Sequence, residues 1–203
     1  MKSSFHLVRF LAVTTIVVSA LAQGAEKELH VRGEVLSVGE AAVTVKVRNG
    51  ETVTVRLPDK FDILDASKTT LDSVAENSYI GVAAAPLGPN KVRALGVLIF
   101  PEGARGLNEG LFPWDLRKNS TMTNATVARL AKKGSATEIQ VRFGDKTQDV
   151  VVDPTTSVAQ IVPGTRELLV VGAKVIVFAN QGDEATPVAH LVMVGKDGFL
   201  PPV

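Results

Sequence analysis

Cysteine is absent from this chain of 203 residues. That excludes disulfides, thiolate metal sites, cysteine nucleophiles and a lipid-modified N-terminal cysteine. Aromatic residues are few, with one Trp, one Tyr and eight Phe. Net charge is nearly absent as well, at +1. Residues 1 to 22 carry Lys2 and Arg9 and no acid, so their removal takes the charge to −1. A chain this balanced offers no electrostatic reason to bind nucleic acid or an anionic membrane surface. Recognised catalytic signatures are missing too: no G-x-S-x-G, no H-E-x-x-H, no P-loop and no G-x-G-x-x-G. Lys133-Gly134-Ser135 reverses the order of a phosphate loop and reads as a turn. After residue 22 no apolar run is long enough to span a bilayer as a helix.

The N-terminus carries one long apolar run. Lys2 and Arg9 precede Phe10 to Leu21, and Ala20-Leu21-Ala22 is a small-x-small pattern before a polar stretch. This predicts a secretory signal peptide over residues 1–22, and an exported, periplasmic mature chain.

Valine and alanine dominate the rest, in segments that alternate. Leu29 to Val38 alternates loosely around Gly33. Ala41 to Val47 and Thr52 to Leu57 alternate strictly on either side of Asn49-Gly50, which predicts a three-stranded meander with a tight hairpin. Leu64, Leu71 and Val74 have the spacing of one helical face, with Asp65 or Ser67 as cap, which predicts a short helix. Tyr79 to Ala85 and Val92 to Phe100 read as two further strands around the turn Leu87-Gly88-Pro89-Asn90. Three strands, a short helix and two strands is the order of a five-stranded Greek-key barrel of the oligonucleotide/oligosaccharide-binding (OB) class.

The same order recurs. Ala125 to Leu130, Thr137 to Phe143, Gln148 to Val152, Ala173 to Ala179 and Val188 to Val194 match the five strands in turn. Pro58 and Pro154, and Val92 and Val188, sit at one offset of 96. The expectation is an all-β protein of two tandem five-stranded OB-like barrels, each with a short helix between strands 3 and 4. They occupy residues 29–100 and 124–195, with a connector over 101–123 and a tail over 196–203.

The connector stands apart. Phe100 to Val127 holds the single Trp, two Pro and three Gly, and lacks the alternation on either side. Leu111, Phe112 and Trp114 are expected to fill a groove between the barrels. Arg105, Glu109, Phe112, Trp114, Asp115 and Arg117 place charge beside aromatics in a glycine-punctuated segment. They are the candidate binding or inter-domain surface.

Metal ligands are sparse. The mature chain has two His, His30 and His190, and neither has a second ligand at coordinating spacing. Both read as surface or edge-strand residues. Met122, His190 and Met193 are the weak candidates for a soft copper site. Stacking platforms for single-stranded nucleic acid are poor. Strands two and three of the first unit carry Val and Thr beside Lys46 and Arg56, and the second unit offers Phe143 with Arg142.

The runs PEGARGLNEGLFPWDL, STMTNATV and VGKDGFLPP resemble a group of uncharacterised exported bacterial proteins built from tandem small β-barrel (OB-like) domains of unknown function. That resemblance covers nearly the whole mature chain. It implies fold and location, and transfers no catalytic residue. The reading from sequence is an exported, non-catalytic binding or accessory protein of the bacterial periplasm with no cofactor. Its partner would be a protein or small molecule, without nucleic acid and without a membrane span once the signal is removed. A periplasmic copper-handling protein is the second reading. The third, an enzyme of unrecognised type, requires a concave pocket with clustered titratable groups.

Overall fold

The computed structural model describes residues 27–181 and 185–203. The expected signal peptide therefore lies outside the described residues. In chain order the strands are β1 (Lys27–Val38), β2 (Ala42–Val47), β3 (Thr52–Arg56), β4 (Asp62–Thr69), β5 (Tyr79–Gly88), β6 (Lys91–Ile99) and β7 (Gly110–Trp114). They continue with β8 (Ser120–Lys133), β9 (Ala136–Phe143), β10 (Lys146–Val152), β11 (Ser157–Pro163), β12 (Lys174–Gln181) and β13 (Val188–Gly195). The only helical elements among the described residues are three-residue 3-10 turns. The protein is all-β, as the alternation predicts. No helix among the described residues is long and apolar enough to cross a membrane.

All the strands belong to one mixed sheet, in the order β10-β9-β8-β5-β6-β11-β4-β13-β12-β1-β2-β3, with β7 paired to β8. Two stretches of that sheet return on themselves. Val188 of β13 pairs in parallel with Arg56 of β3, and Asp149 to Val151 of β10 pair in parallel with Lys91 to Arg93 of β6. One ring therefore contains β1, β2, β3, β12 and β13. The other contains β5, β6, β8, β9 and β10.

This pairing corrects the expectation of two self-contained barrels over 29–100 and 124–195. Each ring takes three strands from one half of the chain and two from the other. The predicted short helices are corrected as well. Between β3 and β5 stands the strand β4, followed by a 3-10 turn at Leu71–Ser73. Between β10 and β12 stands β11, followed by a turn at Arg166–Leu168. Conformation and pairing are linked by reach. Eight extended residues span about 26 Å, against about 12 Å for a helix of that length. The extended form carries the chain from the first ring to the second.

β4 and β11 lie side by side, antiparallel, with Ile161 opposite Ala66. β4 also runs parallel to β13, and β11 parallel to β6. Each contributes buried residues from both faces. Ile63 enters the core of the first ring with Val35, Val45, Val55 and Val177. Val158 enters that of the second with Ile80, Val82, Val127 and Ile139. The other faces, Ala66 from β4 and Ala159 and Ile161 from β11, meet in a third cluster between the rings, with Leu98, Met122, Ile176, Phe178 and Met193.

The tail expected over residues 196–203 makes a 3-10 turn at Lys196–Gly198 and ends with Val203 buried in this third cluster. Gly96 permits the approach, since a Cβ there would lie 2.0 Å from the Pro202 carbonyl oxygen. At the predicted hairpin, Asn49 keeps negative φ and only Gly50, at +87°, is left-handed. The Gly50 amide donates to the Val47 carbonyl. The turn is thus a tight turn followed by one left-handed glycine.

Candidate functional site

The expected irregular connector, 101–123, is largely ordered. It contains a 3-10 turn at Glu102–Ala104, the strand β7, and the start of β8. Arg105 is used structurally. Its guanidinium donates to both carboxylate oxygens of Glu102, at 2.6 and 2.7 Å, and to the Asn77 carbonyl at 2.8 Å. Just beyond, the buried Tyr79 hydroxyl donates to the Leu107 carbonyl at 2.9 Å. Burial first, and the nearby Glu109 carboxylate second, push the Tyr79 phenol up to about 12. These bonds tie the segment that leads into β7.

β7 has the sequence Gly-Leu-Phe-Pro-Trp, without a charge. It pairs antiparallel with β8, Phe112 opposite Met122 and Trp114 opposite Ser120. Among the described residues β8 is its only strand partner. Leu111 is 44% exposed and Phe112 40%. This corrects the expectation that Leu111 and Phe112 fill a groove between barrels. Leu107 is exposed beside them in sequence. Only Trp114 turns inward, half-buried against the third cluster. That cluster draws on both rings, so Trp114 alone takes the clamping position expected of three residues.

A groove of about 740 Å³ lies where β7 meets the β9–β10 hairpin. Glu109, Gly110 and Leu111 form one side, and Phe143 to Gln148 the other, with Asn90 at the edge. The Gly144 amide donates to the Glu109 carboxylate at 2.6 Å, joining the two sides. Gln148 is buried, and its carbonyl oxygen accepts from the Thr123 hydroxyl at 3.0 Å. The lining mixes Glu109, Asp145 and Lys146 with the apolar Leu111 and Phe143.

The far end of β7 meets β1. The His30 ring stacks on Trp114 with centroids 4.2 Å apart, and meets Phe178 edge-on at 5.1 Å. The side chain of His30 is 8% exposed. This corrects its reading as a surface histidine. Its Nδ1 lies 3.1 Å from the Asp115 carboxylate without hydrogen-bond alignment, so both ring nitrogens and the buried Trp114 indole N–H lack a hydrogen-bond partner. Arg32 holds Asp115 through two bonds of 2.6 and 3.0 Å, and its guanidinium lies 5.7 Å from the Trp114 ring centre. Partial burial raises the Asp115 carboxyl. The His30 ring and the Arg32 guanidinium outweigh that and hold it well below the usual carboxylate range. Arg117 is exposed, and its backbone amide donates to the Ser120 hydroxyl in the turn between β7 and β8.

The metal candidates differ in exposure. Met122 and Met193 are buried in the third cluster. His190 is on the surface, 3.0 Å from the Glu28 carboxylate. No group of three or more His, Asp or Glu side chains is placed to hold a metal among the described residues. The six connector candidates also divide. Trp114 and Asp115 form the β1 contact, Glu109 and Phe112 flank the groove and free strand, and Arg105 and Arg117 stabilise turns. Sequence reasoning missed His30, Arg32 and Gln148, which reach these places from strands distant in sequence. The signal for Gln148 was a polar residue in phase with Val150 and Val152. No family model, no curated protein and no solved structure matches the chain.

Proposed function

We propose that the protein is an exported, non-catalytic binding module of the bacterial periplasm, and that β7 with its groove is the binding surface. The observation that carries this reading is the exposure of two large apolar neighbours, Leu111 and Phe112, on a strand with one free edge. An apolar strand left uncovered costs solubility and marks an interaction site. Export rests on the N-terminal pattern alone.

We also propose that the two rings are OB-like barrels descended from one duplicated unit whose last two strands were exchanged. The matching of pairings supports this. β1–β12 corresponds to β8–β5, β13–β4 to β6–β11, and β4–β11 lies between them.

The test is affinity capture from periplasmic extract with the mature protein and with a Leu111→Asp/Phe112→Asp variant, each checked for folding by circular dichroism. A partner retained by the first and lost by the second supports the assignment. Equal capture by both removes β7 from the function. Copper measured in the same mature sample at one equivalent, and lost in a Met122→Leu/Met193→Leu variant, would favour the metal-handling alternative.

A further inference from the structure

Resting on the proposed binding surface, we infer that its occupant is an extended polypeptide segment. It would add as a strand to the free edge of β7, with a lysine or arginine directed toward Glu109 and Asp145.

Backbone chemistry selects the class of ligand. A strand edge presents N–H and C=O groups that another extended backbone satisfies best. Successive residues of an antiparallel strand point their backbone groups alternately to the two sides. Pro113 has no N–H to give, and proline is tolerated where that group would face away from the ladder. Pro113 therefore faces the free edge, and Leu111, two residues earlier, faces it too. The edge offers the Leu111 N–H and C=O and the Pro113 C=O, a short ladder with a built-in stop. Such a stop limits edge-to-edge aggregation and still admits one short strand.

Side chains define the sequence it would take. Successive strand residues point to opposite faces, so Leu111 and Phe112 offer one apolar contact on each face. The incoming strand then needs apolar residues at neighbouring positions. Its end would enter the groove, where Phe143 adds an apolar wall. Glu109 and Asp145 have no cationic partner among the described residues, and Lys146 is the single cation in the lining. The Glu109 oxygen that takes the Gly144 amide fixes the carboxylate at the groove, and its second oxygen remains to accept from a ligand cation. A small neutral molecule would use the groove and ignore the edge.

The experiment is selection of a phage-displayed library of unstructured peptides on the mature protein. Selected peptides are then remade with a fluorescent label and measured by anisotropy. Selected sequences should share adjacent apolar residues and a Lys or Arg at one end. N-methylation of alternate peptide amides, which blocks a ladder and leaves side chains intact, should weaken binding at least tenfold, on the order of two lost main-chain bonds. Glu109→Gln should cut the preference for the basic residue and flatten the salt dependence. Tight binding that survives N-methylation in every register overturns the strand-addition inference. If Leu111→Asp/Phe112→Asp still abolishes such binding, the surface assignment stands without it. If the double variant binds as well as the parent, both fall. A dimer in sedimentation that the double variant makes monomeric would show a second copy in this place, and would overturn the inference for a foreign peptide.

Discussion

Trp114 and its neighbours show how much one residue's surroundings decide. Leu111, Phe112 and Trp114 are alike in composition, and only the third is packed. Truncating Trp114 removes its stack on His30 and its contact with the third cluster. Trp114→Ala should cost about 2 kcal/mol, below the 3 to 5 of a fully buried tryptophan. Leu111→Ala and Phe112→Ala should each stay within about 0.5 kcal/mol, as exposed positions do. Urea denaturation of the three variants measures the contrast. Asp115 makes a pH prediction. Its folded carboxyl titrates well below its unfolded value, so its contribution is present above about pH 4. It is lost as pH falls toward the folded value. Below pH 4 the melting temperature of the parent should drop more steeply than that of Asp115→Asn, which has no such proton to gain. Tyr79 acts at the other extreme. Its phenol is raised to about 12, so its contribution holds below about pH 10 and disappears as pH rises toward 12. Tyr79→Phe should unfold less steeply through that alkaline range and, through the lost bond to Leu107, cost about 1 kcal/mol at neutral pH.

At the scale of elements, legibility followed solvent exposure. β2, β3, β9 and β10 each have one wet face, and their alternation predicts them nearly to the residue. β4 and β11 send buried residues into different clusters from their two faces, so polar and apolar residues cease to alternate. Leu64, Leu71 and Val74 then mimic a helical spacing, although Leu64 belongs to the third cluster and the other two to the second ring. β7 was illegible for another reason. Its Leu111 and Phe112 are exposed, which inverts the usual inference from hydrophobicity to burial. Residues 196–203 form an element by docking, and Gly96 and Gly195 both admit them, at the carbonyls of Pro202 and Phe199. Gly96→Ala should detach this segment. The expected result is a lower melting temperature and faster cleavage within residues 196–203 by a non-specific endoprotease.

For the whole molecule, strand pairing between the two halves of the chain couples them. The first ring cannot form from contiguous residues, because β3 is separated from β12 by the entire second ring, and a cut after residue 104 also parts β5 and β6 from β8, β9 and β10. Contacts distant in sequence slow folding through loop-closure entropy. They also make partial unfolding costly, since opening β4–β11 exposes apolar surface of the third cluster. Thermal unfolding should be a single transition whose midpoints agree when followed at Trp114 and by far-ultraviolet circular dichroism. Residues 27–104 and 105–203 produced separately should lack ordered strands as monomers. Mixed, they should recover the spectrum of the intact chain, because each supplies what the other's ring lacks.

The amino-acid sequence by itself determined local conformation wherever one strand face meets water: the all-β class, most strand positions, and the hairpin turns at Gly50 and Gly144. It also determined which residues are apolar enough to seek a core. Partner choice was settled only in three dimensions, because strand pairing uses backbone groups that every residue shares. Nothing in β5 and β6 names β8 over β1. The extended reach of β4, and the third cluster it creates with β11, made that choice. The same distant pairing buried His30 beneath Trp114 and left β7 with an open side.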